Sequence, residues 1–210
     1  ATGMLLDLYG DRPIRETIYR SGDDPLEICP FFDREAFHRR IEDGTTYRNQ
    51  DEFWGGVRQR VFPAEHDYFL SKCVLLRYQP DVVLTSGQHL TNIPAERLAR
   101  EEVCVLHFKF VASFSDYVEQ ESRREVHAMG GAQYKTYHER IRREEALSLF
   151  DPGLSVRFEG AAQLRELGVL RPEPAIPGPR VPAIAAVPAS AAPRPFWSVM
   201  VSVFDRPGNV

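Results

Sequence analysis

Val103-Cys104-Val105-Leu106-His107-Phe108-Lys109-Phe110, continuing into Val111-Ala112-Ser113-Phe114-Ser115-Asp116, reads as a buried strand that turns sharply into a helix. Strand side chains alternate between faces, so His107 and Lys109 are expected on one side and Leu106, Phe108 and Phe110 on the other. Two cation-capable groups then stand at the C-terminal end of an apolar strand, the end of the sheet at which α/β proteins bind ligands. The plainer alternative is a hydrogen-bonded core histidine, the commoner fate of a lone His in such a strand. Ser113 followed by Asp116 has the Ser-x-x-acid form of a helix start.

The totals suit one domain of ordinary size, or one domain plus an extension. The 210 residues are 43% hydrophobic and 27% charged, enough apolar matter for a core. A formal net charge of −4 gives no general basic field and argues against nucleic acid as the main partner. The basic groups Arg123-Arg124 and Arg140 to Arg143 are interleaved with acids, which weakens a nucleic-acid reading further. Cys29, Cys73 and Cys104 are widely spaced, with no CxxC or CxxH pairing, as expected of reduced, mostly buried thiols. No apolar run approaches the roughly 18 residues of a membrane span, and no signal-peptide plan opens the chain. The expected location is the cytoplasm, at most in peripheral contact with the inner face of a membrane.

Along the chain, Met4-Leu5-Leu6 and Leu8-Tyr9 before Gly10 and Pro13 suggest the last turns of a helix begun upstream, in a chain cut from something longer. Arg12 to Glu65 is irregular, with one short helix expected near Arg34 to Ile41 and anchoring by Phe31, Phe32, Phe37, Phe53, Trp54 and Phe62. Within it, Gly55 and Gly56 permit a tight turn. Arg58 and Arg60, two apart, would point the same way if extended and could hold phosphate or carboxylate, with ordinary surface arginines as the alternative. Phe69 to Tyr78 and Val82 to Ser86 read as a hairpin turning at Pro80. Ser86 and His89 lack the strand-turn-helix elbow of a serine hydrolase, so serine catalysis is set aside.

The helix opened by Ser113 is expected to reach about Met129 and stop at Gly130-Gly131. A second runs from Ala132 to about Leu149, with Tyr134, Tyr137, His138 and Ile141 as its buried stripe. Asp151-Pro152-Gly153 turns the chain into a short strand at Ser155 to Phe158 and a short helix at Ala161 to Leu167. The globular part is expected to occupy residues 1–170. Residues 171–195, eight of them proline, read as a semi-rigid linker, and residues 196–210 as a truncated first strand of a second domain.

Several segments, taken in order, resemble bacterial family-2-like glycosyltransferases. They are Leu5 to Tyr9 (Leu-x-Asp-x-Tyr), with Leu6 at its second position, Cys29 to Asp33 (Cys-Pro-x-Phe-Asp), Gly55 to Arg60 (Gly-Gly-x-Arg-x-Arg) and His107 to Phe110 (His-Phe-Lys-Phe). Tyr134 to Tyr137 and Asp151 to Ser155 fit the ending of the same group, and Ser198 to Pro207 resembles the opening strand and turn of a second such domain. The resemblance implies the C-terminal portion of a GT-A (Rossmann-like) α/β fold. It also implies transfer of a sugar from a nucleotide diphosphate-sugar to a glycan or other acceptor in cell-surface polysaccharide synthesis.

Such enzymes hold Mn2+ or Mg2+ with an Asp-x-Asp motif, often completed by a late histidine, and His107 is the matching position. Lys109 is then expected near the diphosphate, and Gly55, Gly56, Arg58 and Arg60 at the acceptor or a phosphate. These 210 residues contain no Asp-x-Asp after an apolar strand, so the nucleotide-binding half is expected upstream of Ala1 and the fragment alone is expected to be inactive. The catalytic base stays open among Asp51, Glu52, Glu65 and Asp67, each also readable as a surface charge. The competing expectation is a non-catalytic module that binds a saccharide or a partner through Phe31 to Phe62.

Overall fold

The structure, a computed structural model, describes residues 1–35, 37–40, 49–62, 68–76, 79–85, 87–99, 102–124 and 128–172. It is a mixed α/β fold built around β1 (Thr2–Tyr9), whose residues from Gly3 to Tyr9 are all buried. A strand enclosed on both faces cannot alternate polar and apolar residues, and this one reads as a nearly continuous apolar run interrupted by Asp7.

After β1 the elements are α1 (Pro25–Ile28), β2 (Phe31–Asp33), β3 (Phe37–Arg40), β4 (Glu52–Gly55) and α2 (Gly56–Val61). Next come β5 (Ser71–Cys73), β6 (Leu84–Thr85), β7 (Leu90–Thr91), β8 (Val103–Phe110), α3 (Ser113–Arg124), α4 (Ala128–Arg143), β9 (Ser155–Arg157) and α5 (Ala161–Glu166). The main sheet runs β5-β1-β2-β9, with β8 parallel to β1 on its other side. The pairings β1–β5, β1–β2 and β2–β9 are antiparallel. Two ribbons, β3–β4 and β6–β7, complete the strands.

Alternation along β1 feeds two separate cores. Met4, Leu6 and Leu8 pack with Phe32, Phe53, Leu164 and the flank of β8 at Leu106 and Phe108. On the opposite face Tyr9 joins Val57, Phe62, Phe114, Val118, Tyr137 and Ile141 from α2, α3 and α4. This second core is aromatic: the Phe62 ring meets Tyr137 edge-on with centroids 4.8 Å apart, and Phe110 meets Phe114 edge-on at 5.1 Å.

The strand and the following helix appear where the sequence places them, in β8 and α3. The strand at Ser155, the turn at Asp151 and the helix at Ala161 are also present, and Tyr137 and Ile141 are buried in α4 as the stripe requires. All three cysteines are free thiols. Among the described residues no helix is long and apolar enough to cross a membrane.

Five local expectations are corrected. The segment before Gly10 is the central strand β1, because short apolar runs do not distinguish a buried strand from a helix. The helix expected at Arg34 to Ile41 is replaced by β3, which pairs with β4. The hairpin is β6–β7, whereas β5 leaves to pair with β1. Gly130 and Gly131, at φ 64° and 75°, lie in the first turn of α4 and do not end α3, whose described part stops at Arg124. Phe110 joins the Tyr137 side with Lys109, because a register irregularity between Asp7 and Tyr9 sets Tyr9 against Phe110 and breaks the alternation. The side chain of Phe37, Ser86, and the linker and terminal strand beyond Pro172 lie outside the described residues.

Candidate functional site

The turn at Gly55-Gly56 determines where two arginines go. Both glycines hold positive φ, 93° and 71°, a region costly for any residue with a Cβ, and they convert β4 directly into α2. Arg58 and Arg60 therefore lie on a helix, where two residues span more than half a turn and side chains diverge. The sequence expectation of a shared direction assumed extended backbone, and the structure corrects it. Arg58 reaches Asp7 and Arg60 reaches Asp33, each through two nitrogens.

At the first of these, Arg58 Nε donates to Asp7 Oδ2 at 2.6 Å and a terminal nitrogen donates to Oδ1 at 2.7 Å. Asp7 stands opposite His107 in the parallel register, and His107 Nδ1 lies 2.7 Å from the same Oδ1. A contact that short to a carboxylate requires the proton on Nδ1, so the imidazole donates there and Nε2 carries the ring's lone pair. Arg58 also approaches Nδ1 to 3.1 Å and closes the cluster. The Asp7 side chain is 2% exposed and that of His107 is 33% exposed, so the anchor is internal and the imidazole is its accessible end.

Charge states follow from this packing. Burial alone would raise the Asp7 pKa, but the Arg58 charge and the His107 hydrogen bond bring it well below the carboxylate range. Burial lowers the His107 pKa, with Asp7 opposing, so at neutral pH the ring is uncharged. Lys109 shares the layer but faces inward. Its Nζ donates to Tyr137 Oη at 3.1 Å and sits 4.4 to 5.2 Å from the ring centres of Tyr137, Phe110 and Phe114. Burial, helped by the Arg58 charge, lowers its pKa well below the usual lysine value. Gln133 donates to the same phenol oxygen.

Along β8 runs a groove of about 320 Å³, lined by His107, Lys109, Phe108 and Val111, with Tyr19 and Ile28 on the facing wall. It lies beside the helix-facing end of the strand, where an α/β sheet offers its binding crevice.

The second carboxylate, Asp33, accepts from Arg60 Nε at 2.7 Å and from the Tyr9 hydroxyl, which also contacts Ser155 Oγ at 2.9 Å. Arg60 donates as well to Leu149 O at 2.5 Å. This ties β1, β2, α2 and the approach to β9 together.

Arg58 and Lys109 thus gather around Asp7 and His107, Gly55 and Gly56 contribute only the turn that aims Arg58, and Arg60 belongs to the Asp33 cluster. Glu52 is 2% exposed and accepts from Trp54 Nε1, so it is no surface charge. Asp51 lies across the fold with Glu102 and Arg171. Glu65 and Asp67 are outside the described residues. His89 donates from Nδ1 to Ser71 O at 2.6 Å.

Sequence reading missed Asp7 as the site's anchor, although a lone acid inside an apolar strand was a usable signal. Asp33 and Tyr137 were legible only as motif or stripe members. Among the described residues no group of three or more His, Cys, Asp and Glu side chains is placed to hold a metal ion. Compared with known proteins, the chain matches no family model, no curated protein and no solved structure.

Proposed function

We propose that this chain is the C-terminal part of a GT-A-type glycosyltransferase that moves a sugar from a nucleotide diphosphate-sugar to a glycan acceptor, with His107 Nε2 as one ligand of a divalent cation. The observation that carries the reading is the Asp7–His107 hydrogen bond at 2.7 Å. A carboxylate on one imidazole nitrogen fixes the tautomer and leaves the lone pair on the other, the usual outer support of a metal-bound histidine. Low His107 basicity serves the same end, since a ligand must be unprotonated.

The donor set fits one corner of such a site. Mg2+ and Mn2+ favour oxygen ligands and tolerate imidazole, and the further oxygens would come from the diphosphate and from carboxylates outside the described residues. Asp7 is occupied by Arg58 and His107, and its part is to orient. When bound, the cation would neutralise charge on the departing diphosphate. Arg58 holds Asp7, and Lys109 acts through space: when protonated it lowers His107 basicity.

The test is NMR of the His107 ring protons, in the chain extended upstream of Ala1, during titration with MnCl2, with and without uridine or guanosine diphosphate. Selective broadening of the His107 signals that needs the diphosphate, and is absent in His107→Ala, is the expected outcome. A ring signal indifferent to both sinks the metal role. That result would favour a non-catalytic saccharide- or partner-binding module, a reading supported by the internal pairing of both Arg58 and Arg60.

A further inference from the structure

At the other end of β1 lies a cavity of about 310 Å³ that the His107 reading does not use. It is lined by Thr2, Gly3, Gln50, Asp51, Phe53, Glu102 and Arg171, among others. Gly3 and Asp7 are four residues apart on one strand, which places the two sites about 13 Å apart along the sheet.

The walls combine strong acceptors and strong donors. Asp51 and Glu102 have side chains 10% and 11% exposed. Arg39 is not itself part of the lining, but it pairs with the same two carboxylates, donating to Glu102 Oε2 at 3.1 Å and lying 4.0 Å from Asp51. Arg171 pairs with both carboxylates, and its backbone N–H donates to Glu102 Oε2 at 2.7 Å. Two carboxylates against two guanidiniums leave the site with no net charge.

Gln50 is the second, independent observation. The residue is 4% exposed, and its Nε2 donates to His89 O at 2.6 Å, yet its Oε1 has no hydrogen-bond partner. A buried amide oxygen left unpaired costs roughly 1 to 3 kcal/mol, and such a group calls for an explanation such as a ligand.

We infer that this cavity binds a neutral, polyhydroxylated ligand, a saccharide unit, at a site separate from His107. Hydroxyl groups both donate and accept, so one ring of them can bridge carboxylates, the Arg171 guanidinium and the Gln50 oxygen together. A phosphate would meet two carboxylates, and an amine would meet the Arg171 guanidinium. The volume lies at the lower end of small-molecule sites, roughly 300 to 1,000 Å³. Phe53, itself 3% exposed, supplies the apolar wall.

The test needs neither nucleotide nor metal, so its failure is separable from failure of the transferase reading. Amide-detected NMR of the whole chain is recorded with D-glucose, D-mannose, N-acetyl-D-glucosamine and maltose at up to about 50 mM, where even millimolar affinity saturates. Inorganic phosphate and L-arginine serve as charged comparisons.

A saccharide is expected to shift the Gln50 side-chain amide and the backbone amides of Asp51, Phe53 and Val103. Asp51→Asn and Gln50→Ala should each weaken it about tenfold or more. If a variant fails to fold, the shift map of the unaltered chain decides alone. No shifts at these residues, shifts only with phosphate or arginine, or equal affinity in folded variants would overturn the inference.

Discussion

Asp7 and His107 face each other in register across the parallel β1–β8 pair, Oδ1 to Nδ1 at 2.7 Å, with Arg58 closing the same carboxylate from α2. This contact joins the central strand, the edge strand and a helix through one buried oxygen. Asp7→Asn would present an amide N–H to the Arg58 donors and leave a guanidinium buried without its counter-charge. The expected cost is about 3 to 5 kcal/mol in urea unfolding. Asp7→Leu combined with Arg58→Met removes both charges and should recover most of that loss. A single-variant cost below about 1 kcal/mol would show that the pair does not hold the sheet.

Acid should weaken the fold well before the carboxylates titrate. Burial, helped by Lys72, pushes the His89 pKa down from 6.5 to about 4, and His107 is lowered as well. A histidine lowered in the folded state binds fewer protons there than when unfolded. Its stabilisation is therefore full above about pH 6.5 and is lost as pH falls towards the folded value. For His89 that is on the order of 3 kcal/mol between neutral pH and pH 4. Asp7, also lowered, keeps its contribution above its ordinary 3.8 and loses it only in stronger acid. Urea midpoints from pH 7 to 4.5 should fall steadily. His89→Asn, which keeps a donor for Ser71 O, should flatten the slope, and an unchanged slope would remove His89 as the cause.

What the sequence conveyed and what it concealed have the same physical origin. β8 was legible because His107 and Lys109 alternate with apolar residues. β1 was not, because a strand buried on both faces leaves no period for its apolar run to display. The Gly55-Gly56 pair announced a turn but not what followed it, and reading the next residues as extended sent Arg58 and Arg60 the same way, whereas the helix parts them. His107 was visible by itself. Its partner Asp7, 100 positions earlier, becomes its neighbour only through the parallel register. Phe110 was misplaced because one irregular register step carries no residue signature.

That parallel register depends on Gly3. A Cβ built there would lie 1.7 Å from Val103 O and 2.6 Å from its carbonyl carbon, both backbone atoms of the paired strand. Flexible side-chain tips can yield to a new methyl, but a strand backbone held by its own ladder moves only by giving up the pairing. Gly3→Ala should therefore cost more than about 4 kcal/mol or leave no cooperative transition. Because Asp7 meets His107 through the same ladder, it should also shift the His107 ring signals. Gly153→Ala is the matched comparison, since its Cβ would meet only Asp151 Oδ1 at 3.3 Å, and its effect should stay within about 0.5 kcal/mol. Equal thermal unfolding of the two variants would mean that β1 and β8 do not approach as closely as the Gly3–Val103 contact requires.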